Sequence, residues 1–373
     1  MFYNPVRIHF GSADLSELPR LVGSRSATLI TTPGMETRGI VDNVKRALAP
    51  RGIRVFTGVQ PNPTIASITR AGRDILDSSP DVLLAIGGGS TIDTAKGVAA
   101  VASRGCSEGE WLATHLRSNT PFPEDFAPLP VIAVPTTAGT GSEVTMWGTV
   151  WDELDGSKHS ISHRRLFPEA ALLVPSLTVS SPRELTLFSA LDTISHCMES
   201  IWNRGATPVS DVCAVAGLRK SFSSLDRVLA NPDDLEWRRT LQEAALLGGL
   251  AICSNATAVA HSMSYPLTSH CGMPHGLACS FTLPEVIRFN GEHAPERVQL
   301  IGDTLGATGV DESARRLEEL FRRWGVPEHV RKYITRESAA ALKDRLLTPG
   351  RANNNIRPVT TDDALGMINR SLH

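Results

Sequence analysis

The stretch DVLLAIGGGSTIDTAKGVAA, residues 81–100, joins an unbroken apolar run to three glycines and then to a helical pattern of small and apolar residues. A run such as Val82–Ile86, with no polar interruption, suits a strand covered on both faces, as in a parallel sheet flanked by helices. Gly87, Gly88 and Gly89 would let backbone N–H groups approach a diphosphate without Cβ interference. The helix expected after Ser90 would aim its positive end at that charge. The segment is neither GxGxxG nor a Walker motif, and a bare tight turn would explain it nearly as well.

Working outward, SATLITTPG, IVDNVKRALAPRG, IRVFTGV and TIASITRAGRDILDSS lead up to it, alternating β-rich and helical texture. LPVIAVPTTAG and PEAALLVP follow as further buried strands. This rhythm predicts βαβ units and a parallel, Rossmann-like sheet. The texture changes near residue 181. Ser181-Pro182-Arg183-Glu184 reads as a helix start with Ser181 as the cap. Beyond it ALDTISHCMESIW, VSDVCAVAGLRKSF, LEWRRTLQEAALLGGLAI and ESARRLEELFRRWG carry apolar residues at helical spacing, while β-type runs nearly vanish. The expected organisation is an α/β domain over residues 1–180 and an all-helical domain over 181–373.

Composition narrows the class. The chain has 373 residues, 41% of them hydrophobic, enough to fill two cores. Thirty-seven basic and thirty-nine acidic side chains, intermixed, give a net charge of −2 and nothing to attract nucleic acid or a membrane surface. Six scattered cysteines without a CxxC suit reduced thiols in a cytoplasm. The N-terminus lacks a basic-then-apolar leader, and no apolar run nears the roughly 20 residues that span a bilayer. A cytoplasmic protein is expected.

PTTAGTGSEVT, residues 135–145, is a second small-residue loop after a buried strand. Two such loops at the strand ends of one sheet favour a dinucleotide. Asp192 and His196 stand four apart on a helical stretch, so both leave the same face. They suit a divalent cation of borderline hardness, although a plain Asp–His hydrogen bond explains such a pair as well. His261 and His275 lie in AHSMSYPLTSHCGMPHG, where Pro266, Gly272 and Pro274 make one unbroken helix improbable. A turn between two helices, with His275 in the first turn after Pro274, could bring both imidazoles to one side, facing Asp192 and His196. A lone histidine is more often a hydrogen-bonded core residue. For the set of four, a metal site is the better account.

Taken together, FY-P-RIHFG, PNPT at 61–64, GGGSTIDTAK, PTTAGTGSEVT, the D-xxx-H of Asp192 and His196, His261, PHG with His275, and NNNIRPVTTDDAL resemble the iron-dependent, group III alcohol dehydrogenase family over nearly the whole length. The resemblance implies its architecture, shared with dehydroquinate synthase. It implies one divalent metal, iron(II) first and zinc second, on Asp192, His196, His261 and His275, with His270 left outside. It also implies NADH or NADPH held by Gly87, Gly88, Gly89 and Ser90 at the diphosphate and by Thr136, Thr137, Thr140 and Ser142 along the groove. Asp93 would lie near the nicotinamide, with Lys158 and Leu177 as further contacts, and a homodimer is common in the family.

Three positions depart from the family pattern. Thr32 stands where many members carry a ribose-binding aspartate, which makes NADPH acceptable. Tyr265 replaces a histidine credited with proton transfer. Trp147 replaces a smaller polar residue and should reshape the substrate pocket. GTVWD, SYPLTSH and GMPHGLACSFTLP are most similar to the phosphonoacetaldehyde reductase branch, which implies reduction of phosphonoacetaldehyde to 2-hydroxyethylphosphonate in phosphonate natural-product and antibiotic biosynthesis. A dianionic substrate needs cations, and Arg164 and Arg165, with His270, are the candidates, although a solvated basic turn explains the two arginines equally well. The rival expectations are a dehydrogenase of neutral short-chain alcohols or lactaldehyde, and a sugar-phosphate cyclase of the same fold.

Overall fold

The computed structural model describes residues 2–103 and 110–372; Cys106 lies outside the described residues. The chain forms two compact units. One gathers Asn4–Thr137 with Ser142–Ser180, and the other gathers Ala138–Gly141 and the chain from Ser181 onward.

Among the described residues the first unit carries eight strands: β1 (Arg7–His9), β2 (Ala27–Ile30), β3 (Arg54–Phe56), β4 (Val82–Gly87), β5 (Val131–Pro135), β6 (Trp147–Trp151), β7 (Lys158–Ser162) and β8 (Ala170–Leu172). Six of them pair in parallel in the order β1-β8-β5-β4-β2-β3. Because strand side chains alternate between faces, β4 serves two cores at once. Leu83 and Ala85 pack with Ile68, Ile92 and Val98. Val82, Leu84 and Ile86 pack with Leu29, Val44 and Val134 on the other face. The apolar run is continuous because both faces of the strand are covered.

The chain leaves β2 for the edge at β3, then returns to lay β4 on the other side of β2 and continues to β5. The carboxyl ends of β2 and β4 therefore flank a topological switch point, where open parallel sheets take ligands. Thr32 follows the first strand and Gly87–Ser90 ends the second.

β6 and β7 form a separate antiparallel pair. The run SKHSISHRR, residues 157–165, whose two arginines the sequence leaves open between an anion contact and a solvated basic turn, supplies β7 in its first half. A five-residue strand with one buried position, as β7 is, carries little periodic signal, and only its pairing with β6 defines it. β1, three residues long at the sheet edge, escaped for the same reason.

The second unit is helical throughout its described elements. Its first helix, Arg183–Ile201, is capped by Pro182 rather than Ser181, because the Pro182 carbonyl accepts the first helical bond from Thr186 N at 2.9 Å. The helix Val259–Cys271 accommodates Pro266 in its interior; the break falls at Gly272, in the left-handed region at φ 66°. Pro274 then opens the short helix His275–Ala278. No described helix is long and apolar enough to cross a membrane.

Gly276 sets how closely that short helix approaches Arg183–Ile201: a Cβ there would lie 1.9 Å from Phe188 O. No side chain fits without separating the two elements. Gly276→Ala is therefore expected to destabilise the protein by about 1–3 kcal/mol, the usual cost of overpacking, read as a lower midpoint of thermal unfolding. An unaltered midpoint would refute the close approach.

Candidate metal centre and nucleotide loops

Three helices of the second unit converge on one carboxylate oxygen. Asp192 and His196 come from Arg183–Ile201, His261 from the first turn of Val259–Cys271, and His275 from the start of His275–Ala278. Asp192 Oδ1 lies 3.4 Å from His196 Nε2, 3.4 Å from His261 Nε2 and 3.9 Å from His275 Nε2. Ligands about 2.1 Å from a tetrahedral ion stand about 3.4 Å from one another, so this spacing fits one small divalent cation. The His261 Nε2 atom is buried and makes no hydrogen bond, although Asp192 Oδ1 is near. A buried polar atom in that state calls for a partner, and a cation at the centre of the four would supply it.

Glu199, a residue that the sequence reading did not single out, orients His261. Its Oε2 lies 2.5 Å from His261 Nδ1, and its Oε1 accepts from the backbone N–H groups of Ala260 (2.6 Å) and His261 (3.1 Å). One fully buried carboxylate thus caps the helix bearing the ligand and holds the outer ring nitrogen, which turns Nε2 inward. A signal existed: Glu199 stands seven residues after Asp192 and three after His196, on the same helix face.

Cys279 Sγ also reaches the cluster and donates to Asp192 Oδ1 at 3.4 Å. Burial, then the charges of Asp192 and Glu199, push its thiol well above the ordinary value, so it serves as a neutral donor. Burial opposes ionisation of Asp192, but the imidazoles of His196, His275 and His261 outweigh it and hold the carboxyl well below the usual range. Burial likewise opposes a proton on His261, yet Glu199 and Asp192 push its pKa up to about 9. The side chains of Asp192, His196 and His261 are 5%, 6% and 3% exposed, against 27% for His275. The cluster opens on the His275 side.

In the first unit, the loop after β4 leads straight into the helix Gly89–Val101. A Cβ on Gly87 would lie 2.2 Å from Thr91 Oγ1, and one on Gly88 would lie 3.2 Å from Thr137. Bare backbone is thus required at Gly87, and a side chain at Gly88 would crowd Thr137, where the helix N-terminus would meet an anion. Thr136 N bonds Gly87 O at 3.0 Å, so the loops after β4 and β5 lie side by side. Ser90 Oγ accepts from Asn62 N at 3.2 Å. Asp93 accepts from Ser142 Oγ at 2.6 Å and from Thr149 N at 3.0 Å, which ties both carboxylate oxygens to the loop and to β6. Beneath them the fully buried Lys96 donates to Ser142 O (2.7 Å), Ser142 Oγ (3.0 Å), Thr145 Oγ1 (3.2 Å) and Trp147 O (2.7 Å). Burial brings its ammonium down to about 8 despite the neighbouring Asp93 and Glu143. Sequence reasoning assigned Lys96 no task, though it holds the second loop in shape.

The remaining predicted residues scatter. Leu177 is buried in the core with Ile86 and Val134. Lys158 Nζ lies 5.9 Å over the Trp151 ring, and Trp147, half-buried, opens β6. Thr140 belongs to the helical unit, in a loop where a Cβ on Gly141 would lie 2.4 Å from Gly249 Cα. Arg164 and Arg165 are exposed, and the Arg165 guanidinium donates to Phe126 O. His270 is exposed, with its Nε2 2.7 Å from Arg345 Nη1. Tyr265 stacks beside His275, ring centroids 6.4 Å apart.

Comparison with known proteins adds to this geometry. Residues 5–175 match the family profile described as iron-containing alcohol dehydrogenase. Residues 186–372 match the Fe-containing alcohol dehydrogenase family, C-terminal. The chain is 33% identical over 296 residues to a 4-hydroxybutyrate dehydrogenase of Cupriavidus necator, over 77% of this chain and 75% of that protein. It is 28% identical over 367 residues to a sulfoacetaldehyde reductase of Bilophila wadsworthia, over 95% and 93%. Among solved structures, sulfoacetaldehyde reductase from Bifidobacterium kashiwanohense in complex with NAD+ superposes with a TM-score of 0.89 at 28% identity, covering 100% of this chain and 98% of that one.

Two outcomes are expected at the cluster. Replacing Glu199 with Gln should weaken cation affinity about 10- to 100-fold, and His261→Ala or His275→Ala should abolish stoichiometric uptake, both read by metal analysis of dialysed protein. Retained stoichiometry in the histidine variants would defeat the assignment. Below about pH 9 the cation-free cluster carries a proton on His261, a stabilising charge that is lost as pH rises through that value. Cation uptake at neutral pH should therefore release protons and tighten with rising pH. Titration calorimetry in buffers of different ionisation heat measures this, and the absence of proton release would contradict it.

Proposed function

The chain belongs to the iron-containing alcohol dehydrogenase family, and we propose that it reduces a short aldehyde bearing a tetrahedral anion, phosphonoacetaldehyde first, to the primary alcohol. The observation that carries the reading is the convergence of three imidazole Nε2 atoms on Asp192 Oδ1. The anionic substrate is supported by the sulfoacetaldehyde reductases among the relatives, since a sulfonate and a phosphonate are both tetrahedral anions on a two-carbon aldehyde.

In this reading Asp192, His196, His261 and His275 hold a divalent cation, iron(II) first and zinc second. Gly87, Gly88, Gly89 and Ser90 receive the diphosphate of a reduced nicotinamide nucleotide. NADH is supported by the NAD+-bound neighbour, and Thr32, which offers no carboxylate, leaves NADPH acceptable. When bound, the cation supplies Lewis-acid polarisation of the aldehyde carbonyl and the nicotinamide supplies hydride. The protein contributes position. Glu199 keeps His261 in one tautomer and orientation, and Asp192 offers a carboxylate to the centre of positive charge. The half-buried Tyr265, on the side where the cluster opens, holds its phenol where a proton can pass to the product oxygen. The proposal includes a nucleotide domain over residues 1–180, a metal domain over 181–373 and a cytoplasmic homodimer as the working form.

The test is turnover by purified protein loaded with iron(II) or zinc, following reduced nicotinamide absorbance. Phosphonoacetaldehyde, sulfoacetaldehyde and propanal are compared, each with NADH and NADPH. An anionic aldehyde is expected to exceed propanal in kcat/KM by about tenfold or more, ~1.4 kcal/mol in the barrier. Equal or higher efficiency on propanal would favour a neutral short-chain dehydrogenase. Consumption of phosphonoacetaldehyde without nicotinamide oxidation would rule out the reduction.

A further inference from the structure

We propose that a cavity of the helical unit, lined by none of the metal-cluster residues, is a binding site for an amphipathic carboxylate, an apolar body carrying one carboxylate head. The cavity measures about 390 Å³, within the range of about 300–1,000 Å³ that small-molecule sites occupy. Its lining comes from the helices Leu283–Gly291, Val310–Trp324, Val326–Val330 and Thr361–Arg370 and the turns beside them, all within the helical unit. The apolar part of that lining is core: Phe281 and Phe321 are 4% exposed, Val326 and Val330 2%.

The charged part is ordered by one buried carboxylate. Glu285, 8% exposed, accepts from Arg288 Nη1 at 2.6 Å through Oε1 and from Arg370 Nε through Oε2, so it positions two guanidiniums from two helices. Arg288 Nη1 also lies 2.7 Å from Glu318 Oε1. That ion pair decides the state of a third arginine. Glu318 stands four residues before Arg322 on Val310–Trp324, the spacing at which a helix pairs opposite charges. With Glu318 engaged by Arg288, the Arg322 side chain has no hydrogen-bond or ion-pair partner among the described residues. Around the cavity three guanidiniums therefore meet two carboxylates, which leaves one positive charge in excess.

This pattern selects a ligand class. A guanidinium carries five N–H donors. Arg288 uses one nitrogen and Arg370 another on the two glutamates, and neither side chain takes a further partner among the described residues. The donors left over, with all of those on Arg322, suit the oxygens of a carboxylate, which a guanidinium can bind through two parallel hydrogen bonds. A hydrocarbon chain or ring set against Phe281, Phe321, Val326 and Val330 adds the hydrophobic contribution that a bare anion lacks. A cationic amphiphile meets repulsion there, and a neutral one gains the apolar contact alone.

The test is titration calorimetry on the full-length protein loaded with zinc, with octanoate as the probe and octanamide, octylammonium and acetate beside it. Wild type is expected to bind octanoate about tenfold or more tightly than each of the three, since each lacks the charge or the chain. Arg322→Gln should weaken octanoate about tenfold, the lower end for hydrogen bonds to a charged group, because Arg322 is exposed. Arg322→Glu should weaken it further and bring octylammonium closer to it. Both variants should keep the wild-type melting temperature, as the Arg322 side chain holds no other residue in place. Octanoate affinity unchanged in both variants would put the probe elsewhere, the metal cluster included, and overturn the site. Octanamide or octylammonium bound as tightly as octanoate would overturn the carboxylate head, acetate bound as tightly would overturn the apolar body, and no octanoate binding by wild type would overturn the proposal outright.

Discussion

One carboxylate oxygen, Asp192 Oδ1, stands within 3.9 Å of three imidazole nitrogens delivered by three separate helical segments, and the helical unit is arranged around the cost of that meeting. Burying a carboxylate and three histidines together is unfavourable unless each polar atom is answered. Glu199 answers the outer nitrogen of His261 and two backbone donors of its helix, and Cys279 answers Asp192 itself. What remains on the inside is three imidazole nitrogens gathered within 3.9 Å of one carboxylate oxygen. A cation completes such an arrangement, because it converts the crowding of like donors into attraction.

The α/β unit meets a parallel constraint by different means. Its loops would bring bare backbone close to an anion: a Cβ at Gly87 would clash with Thr91, one at Gly88 would crowd Thr137, and the second loop is anchored from below. Lys96 is the anchor. Its ammonium is buried under Ser142, Thr145 and Trp147 and donates to the loop's carbonyls and hydroxyls, although burial still brings its pKa down to about 8. Asp93, which resemblance places near a nicotinamide, has both oxygens engaged in the same network. Shape in this loop is therefore held by buried charge, while the surface it presents is small and polar.

The two arginines flagged for their sequence neighbourhood and an arginine that the fold brings near the cluster illustrate how side chains are assembled. Arg164 and Arg165 sit in a visibly basic run, yet they are exposed and one of them donates to Phe126 O, 39 residues away. Arg351 stands between glycine and alanine with no cationic neighbour to mark it. It reaches the cluster through Tyr265, 86 residues away in the chain. Charge density along a sequence reports solvation of a surface; charge beside a reaction centre depends on which segments fold over it.

By itself the sequence determined the strand–loop–helix rhythm, the parallel sheet, the helical second half and the four candidate ligands. Unbroken apolar runs, i to i+4 spacing and glycine at strand ends are local consequences of backbone geometry and need no distant partner to be read. Only the tertiary structure decided the rest: that Glu199 faces His261, that Gly276 lets the last ligand helix settle against Phe188, that SKHSISHRR supplies a strand, and that Arg351 stands by Tyr265. Each depends on contacts between separate segments, and no local periodicity encodes which segments meet.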